Sequence, residues 1–409
     1  MTRSFTPNGG LRQSFGGAGP MNRKQSDATR VVHAAGQDGL VGRTVGPPIQ
    51  RGSTVLLPNA AALHDTRGVT YGRQGLQPQA SLTAALCDLE GAESAHLFSS
   101  GLAAITSAIL ALVKAGDEVL VTDCIYYPTR RFCDLTLKRF GVTTRYFDPA
   151  LSAEDLAALI TPQTRLIVLE APGSLTLEMQ DVPAIAAMAQ ARGVLTVIDN
   201  TWGAGLYFKP LSHGVDVSVQ ALTKYVCGHS DVFMGAAMAR EAKVGAKLND
   251  AALHLGASVS PDDAYQMLRG LRTLAARLEH HGRSALEIAA WLNDQPGVAE
   301  VICPGLPGSR GHEVWRRDFT GQNGLVSFVL KSQSKAAVDC FLDDLRLFGL
   351  GFSWGGFESL AIPCDSQLRH RRYPPKLAGP LVRLHVGLED VEDLKVDLAE
   401  ALVACAGAG

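Results

Sequence analysis

RLIVLEAPGSLTLEMQDVPAIAAMAQARGVLTVIDN, residues 165–200, reads as strand, helix, strand. The run RLIVLEAP (165–172) is apolar and reads as a strand. In DVPAIAAMAQARG (181–193), Asp181 supplies an N-cap, Pro183 sits in the first turn and Gly193 stops the helix. VLTVIDN (194–200) then returns as a strand buried on both faces that ends on an acid. Two such strands joined by a helix make a βαβ unit, and its strands run parallel.

The pattern extends in both directions. Upstream, SAHLFSS (94–100) leads into a helix at 101–113, and DEVLVTD (117–123) reads as another strand. Alternation of this kind from about 80 to 240 predicts an α/β domain around a mainly parallel sheet. Downstream, SPDDAYQMLRGLRTLAARLEHHG (260–282) opens on Ser260 and Pro261 and places Leu268, Leu271, Ala275 and Leu278 on one helical face. Its length suits a connector between domains, with His280 and His281 at a solvated helix end. GLVSFVL (324–330) and LVRLHVGL (381–388) read as strands, with helices at about 335–346 and 390–405, a smaller C-terminal α+β domain.

Composition narrows the function. A chain of 409 residues exceeds the size at which single cores stop growing. Charged residues make up 19% with a formal net charge of -2, which excludes the basic footprint of a nucleic-acid or polybasic membrane binder. A small molecule is the expected partner. The eight cysteines form no C-x-x-C pair, which points to reduced thiols in a cytoplasmic protein and away from disulfides or a zinc site. LAAITSAILALV (102–113) is too short to span a bilayer. The first twenty residues, rich in Gly, Ser and Pro, read as a disordered extension, with Met21 as an alternative start.

Three features carry chemistry. Asp199 ends a buried strand, where ligands of open parallel sheets bind, although a helix N-cap would also explain it. In VSVQALTKYVCGHSD (217–231) an apolar strand delivers Lys224. SSGLAA (99–104) places small residues at a helix N-terminus, which offers free N–H groups to a phosphate. Lysine, acid and phosphate cradle together point to pyridoxal phosphate, which needs a covalently binding lysine and an acid at its ring nitrogen. A free lysine near pKa 10.4 is too basic for neutral-pH chemistry, and burial corrects this. GHSD (228–231) is no triad, because adjacent residues point apart. HEVWR (312–316) has Arg316 where a helical zinc pair needs histidine, so no metal is expected.

YGRQG (71–75), SSGLAA, LEAPGSLTLEMQDVPAIA, VIDNTW, QALTKYVCGHSD, LPGSRGHEVWRRDFTG, SWGGFESL and VRLHVGLEDVEDL occur in one order. Together, from about residue 27 to 405, they resemble the Cys/Met-metabolism family of pyridoxal-phosphate enzymes. The resemblance implies a fold-type I transferase-like architecture: a disordered extension at 1–26, an arm at 27–74 reaching the neighbouring subunit, a cofactor domain at 75–270 and a C-terminal domain at 271–409. It assigns covalent cofactor binding to Lys224, the ring-nitrogen contact to Asp199 and ring stacking to Tyr126. Phosphate contacts fall on Gly101, Leu102 and Thr223, and on Tyr71 and Arg73 of a neighbouring subunit. Arg383 and Ser353 hold the substrate carboxylate, and Trp354 and Tyr126 line its site.

Within the family, EAPGS (170–174) and Trp354 favour the β-lyase branch, so the implied reaction is cleavage of L-cystathionine to homocysteine, pyruvate and ammonia in methionine biosynthesis. A homotetramer built from shared-site dimers is implied as well. The alternatives are a lyase for cysteine, cystine or S-alkyl cysteines, a γ-lyase or γ-synthase, and a non-catalytic cofactor carrier. Ala221 stands where many members have serine, and Tyr127 and GLQPQA (75–80) depart from the β-lyase pattern.

Overall fold

The computed structural model describes residues 26–32, 44–65 and 68–407. The expected extension therefore lies outside the described residues except for Ser26, and part of the arm lies outside them too.

Seven strands form the large sheet: β1 (Ser94–Phe98), β2 (Glu118–Thr122), β3 (Thr143–Phe147), β4 (Thr164–Glu170), β5 (Leu195–Asp199), β6 (Val217–Gln220) and β7 (Gly235–Ala239). Their order is β1-β7-β6-β5-β4-β2-β3. The run from β3 to β6 is parallel, and β7 enters antiparallel between β6 and β1. The expected strand–helix–strand unit is β4, the helix Val182–Ala191 and β5; Asp181 Oδ1 caps that helix by accepting the Ala184 N–H at 3.1 Å.

Side chains of β4 and β5 alternate between two cores, as the pleat requires. Ile167, Leu169 and Ile198 pack with Ile185 and Ala189 of the crossover helix, while Leu166, Val168 and Val197 pack with Ile105 and Ile109 of the helix Gly101–Leu112. Each fully buried aliphatic side chain contributes about 1.5–3 kcal/mol. Burial on both faces explains why neither strand alternates with polar residues.

The second sheet has five strands, β8 (Val298–Ile302), β9 (Leu325–Leu330), β10 (Gly349–Leu350), β11 (Leu360–Pro363) and β12 (Leu381–His385), in the order β10-β11-β12-β9-β8. β12 is interior, between β11 and β9. Val382, Leu384 and Val386 face the core with Phe328, Phe341, Leu394 and Leu398. Arg383 and His385 therefore point the other way, towards the large sheet.

The expected single connector is two helices, Pro261–Leu271 and Leu274–Asn293. They part where Gly270 presses on the main chain after Lys224, its missing Cβ leaving room for the carbonyls of Val226 and Cys227. Arg277 donates to Gly270 O at 2.7 Å and takes an acceptor that a continuous helix would have used. The second helix runs on to Asn293, so His281 is not at a solvated end. It is fully buried, with ring centroids of Tyr225 at 5.4 Å and His385 at 5.2 Å, and its Nδ1 donates to Val386 O at 2.8 Å.

Burial depresses the His281 pKa to about 4, with the charges of Arg277 and His280 adding to the effect and the Val386 hydrogen bond opposing it. The unfolded imidazole titrates near 6.5. Below that value the unfolded chain binds the proton that the folded chain refuses, so this stability is lost as pH falls from 6.5 towards 4. The loss from this residue is about 2 kcal/mol at pH 5. The urea midpoint is expected to fall between pH 7 and 5, and His281→Phe should flatten that fall; an identical pH dependence in the variant contradicts this account.

Candidate active site

The carboxyl ends of β4, β5 and β6 open on a cavity of about 210 Å³ between the two sheets. Parallel strands present their carboxyl ends on one edge, which is where a crevice forms. Lys224, Asp199, Tyr126, Gly101, Leu102, Thr223, Trp354 and Arg383 all line this cavity, and Ser353 reaches it through Lys224. Tyr71 and Arg73 do not. They line a separate recess with Gly52, Gln79 and Ser260, and Arg73 donates to Leu253 O at 3.2 Å.

Lys224 lies one turn beyond β6, and its Nζ donates to Ser353 Oγ at 2.8 Å and sits 5.3 Å from the Trp354 ring centroid. Burial lowers its pKa to about 8; the positive charge of Arg383 adds to the shift and Asp199 opposes it. The ammonium is thus brought within reach of a neutral amine.

Asp199 is in register with Glu170 across β4 and β5. Its Oδ1 accepts the Thr201 N–H at 3.0 Å and the Thr201 hydroxyl at 2.5 Å, and Thr201 Oγ1 accepts the Ala221 N–H at 2.9 Å. This is no helix cap, because no helix follows Asp199. Burial raises the pKa of both acids, and in Glu170 the Asp199 charge adds to it. On Asp199 the two donors from Thr201 and the charge of Lys224 oppose that rise, whereas Glu170 has a single donor, the Tyr126 N–H, against it. Glu170 Oε2 accepts the Tyr126 N–H at 2.7 Å.

Arg383 is only 5% exposed and has no acid within ion-pair distance among the described residues. It donates to Phe352 O at 3.3 Å and Ser353 O at 3.0 Å, while its Nε has no partner. A buried cation with an idle donor is costly unless an anion joins it. At the opposite end, Ser100 Oγ caps the helix Gly101–Leu112 through the Ala103 N–H at 3.1 Å. The N–H groups of Gly101 and Leu102 belong to the first turn, which a helix cannot pair within itself. Gly101 is required here: a Cβ would lie 2.8 Å from Ala221 Cα. The Thr223 hydroxyl donates to Met234 O at 3.1 Å and accepts the Met234 N–H at 2.9 Å, so it must release Met234 O before it can donate to a phosphate.

These residues fit pyridoxal phosphate. Asp199 can accept a ring N–H, Lys224 can bind the aldehyde carbon, and the N–H groups of Gly101 and Leu102 suit a phosphate. Glu170, Thr201, Trp202 and Phe233 were not among the residues expected from the sequence, yet they also line the cavity. A signal existed for Glu170, which ends its strand on an acid as Asp199 does. The expected lookalike GHSD disperses: His229 Nδ1 pairs with Cys227 O, Ser230 donates to Glu358, and Asp231 accepts from Cys227 Sγ.

Comparison with known proteins agrees with this chemistry. The family model for Cys/Met metabolism PLP-dependent enzymes matches residues 28–403. Cystathionine beta-lyase of Salmonella typhimurium (strain LT2) is 43% identical over 391 residues, covering 93% of this chain and 98% of the relative. L-alanine/L-glutamate racemase of Wolbachia pipientis wMel is 37% identical over 376 residues, covering 88% of this chain and 92% of the relative. The solved cystathionine gamma synthase from Xanthomonas oryzae pv. oryzae, in complex with aminoacrylate and cysteine, is similar with a TM-score of 0.87 at 32% identity, covering 95% of this chain and 100% of that one. Because one match spans both the strand ends that carry Asp199 and the strand that carries Arg383, the chain belongs to the Cys/Met metabolism PLP-dependent enzymes, with pyridoxal phosphate as cofactor.

Proposed function

We propose that the chain is a carbon–sulfur β-lyase that cleaves L-cystathionine to homocysteine, pyruvate and ammonia. The observation that carries this reading is the convergence of Lys224, Asp199 and Arg383 in one cavity, together with 43% identity to a cystathionine beta-lyase along nearly the whole chain. Pyridoxal phosphate, when bound, supplies the electron sink for the pair left at Cα.

The chain's own groups do the rest. Arg383 takes the substrate α-carboxylate on its idle Nε and a terminal nitrogen, and this fixes which face of Cα is presented. Lys224, brought near pKa 8 by burial, removes the Cα proton as a neutral amine. A positioned base contributes about 10² to 10⁴-fold. Asp199 holds the proton on the cofactor ring nitrogen. Gly101 and Leu102 hold the phosphate, joined by Thr223 once it releases Met234. Ser353 keeps Lys224 aimed, and Tyr126 and Trp354 cover the reacting atoms from water.

Tyr71 and Arg73 lie outside this cavity and are half-exposed or exposed. In this reading they complete the phosphate site of a second copy, in a homotetramer of shared-site dimers. The 27–74 arm is the element that reaches across, ahead of the 75–270 and 271–409 domains.

The test is the keto acid released from cystathionine. Pyruvate is the expected product. Release of 2-oxobutyrate would overturn the reading in favour of γ-cleavage, and turnover of cystine or S-alkyl cysteines with cystathionine inert would overturn it in favour of a C–S lyase for those substrates. Incubation with L-alanine and chiral analysis of the amino acid tests the racemase activity named for one relative.

A further inference from the structure

Three residues before Tyr126, Asp123 follows β2 and is fully buried. Its carboxylate accepts from Arg130, from Arg371 Nε at 3.2 Å, and from the N–H groups of Arg372 at 3.0 Å and Tyr373 at 2.7 Å. The same Arg371 grips Glu178 through both terminal nitrogens, at 2.7 and 3.0 Å, and donates to Thr176 at 3.1 Å. One C-terminal arginine thus ties together two segments of the large sheet's loops. Both segments wall the cavity: 123–131 carries Tyr126, and 173–178 contributes Gly173, Ser174, Leu175 and Leu177. Ser174 N–H also donates to Cys124 O at 2.9 Å, and the Tyr127 ring stacks on His370 at 4.7 Å.

Stability alone is a weak account of such a cluster, because a buried ion network seldom adds net stability over an apolar one. Its geometry has a direction: every side-chain hydrogen bond of Arg371 ends within a few residues of the Tyr126 turn or on the facing wall.

We infer that Arg371 is a positioning residue, which sets the Tyr126 ring against the cofactor by clasping Asp123 and Glu178 together from the C-terminal domain. This rests on Tyr126 facing the cofactor, the reading given above. Arg371→Ala leaves Asp123 paired with Arg130 and lets the partly exposed Glu178 hydrate, so the variant is expected to fold. Arg371→Lys can serve one carboxylate but not both, because an ammonium lacks the planar fork.

The experiment compares visible circular dichroism of the bound cofactor, the cofactor dissociation constant, and kcat per bound cofactor in Arg371→Ala, Arg371→Lys, Glu178→Gln and Tyr126→Ala. Tyr126→Ala should change the dichroic band, and Arg371→Ala should change it in the same sense. Arg371→Ala should also lower kcat per bound cofactor on the order of 10- to 100-fold, the range expected of small misplacements in a site. Arg371→Lys and Glu178→Gln should lie between it and the unaltered chain. A lowered melting temperature with unaltered band and unaltered kcat per cofactor would make the clasp merely structural and overturn the inference. If Arg371→Ala does not fold, the same result in folded Glu178→Gln overturns it. An unaltered band in Tyr126→Ala would instead defeat the reading of Tyr126 on which the inference stands.

Discussion

Lys224→Ala is expected to remove the visible absorbance of the covalently held cofactor and to lower β-elimination by at least about 10² to 10⁴-fold, the usual contribution of a positioned base. In the proposed reaction the lysine has two roles, and alanine supports neither. Its pKa near 8 arises from burial first and from Arg383 second, so at neutral pH a useful fraction is the neutral amine that can take a proton. No other amine replaces it: among the described residues that line the cavity, Lys224 is the single lysine. The fold should survive, because Nζ is held only by Ser353 and the Trp354 face. Partial recovery of turnover with a small primary amine in solution would identify the missing group as the base. Full activity in the variant would remove Lys224 from its assigned place.

Arg383→Lys, although it keeps the charge, is expected to lower kcat/KM by about 10- to 150-fold, with most of the change in KM. Hydrogen bonds to charged groups contribute about 1.5–3 kcal/mol, and each 1.4 kcal/mol is tenfold. Arginine meets a carboxylate with two parallel N–H donors, a geometry that an ammonium cannot reproduce. In the structure Nη2 already donates to Phe352 O and Ser353 O, while Nε has no partner and must be joined by a nitrogen drawn from those carbonyls to form a fork on the substrate. A lysine would satisfy those carbonyls or the carboxylate, but not both. Steady-state kinetics on cystathionine, with pyruvate as readout, decides the matter; unaltered KM would place the carboxylate elsewhere.

Much of the architecture was legible because it is local. The cap at Asp181, the turn proline and the stop at Gly193 act within one helix, and the apolar runs 166–169 and 194–198 announce strands without knowledge of their neighbours. The placement of Lys224 past β6 and the free N–H groups ahead of the helix at Gly101 are local too. Where the reading of the residues failed, the cause was a partner distant in sequence. The helix break near Arg272 depends on Gly270 meeting the turn after Lys224, and the burial of His281 depends on Tyr225 and His385.

The same division holds for the site. Asp199, Lys224 and SSGLAA could be picked out individually, because each occupies the end of an element where ligands bind. That Glu170 stands beside Asp199 follows only from strand order, since register brings β4 against β5. That Arg383 is a buried, half-idle cation follows only from β12 being an interior strand; on an edge the same sequence would carry a solvated arginine. By itself, then, the sequence determined which elements form and which chemical groups stand at their ends. Which of those groups share a cavity, and what burial does to their charges, was decided by tertiary packing, because desolvation and hydrogen bonding depend on neighbours from other elements, such as Glu170 beside Asp199 and Ser353 on Lys224.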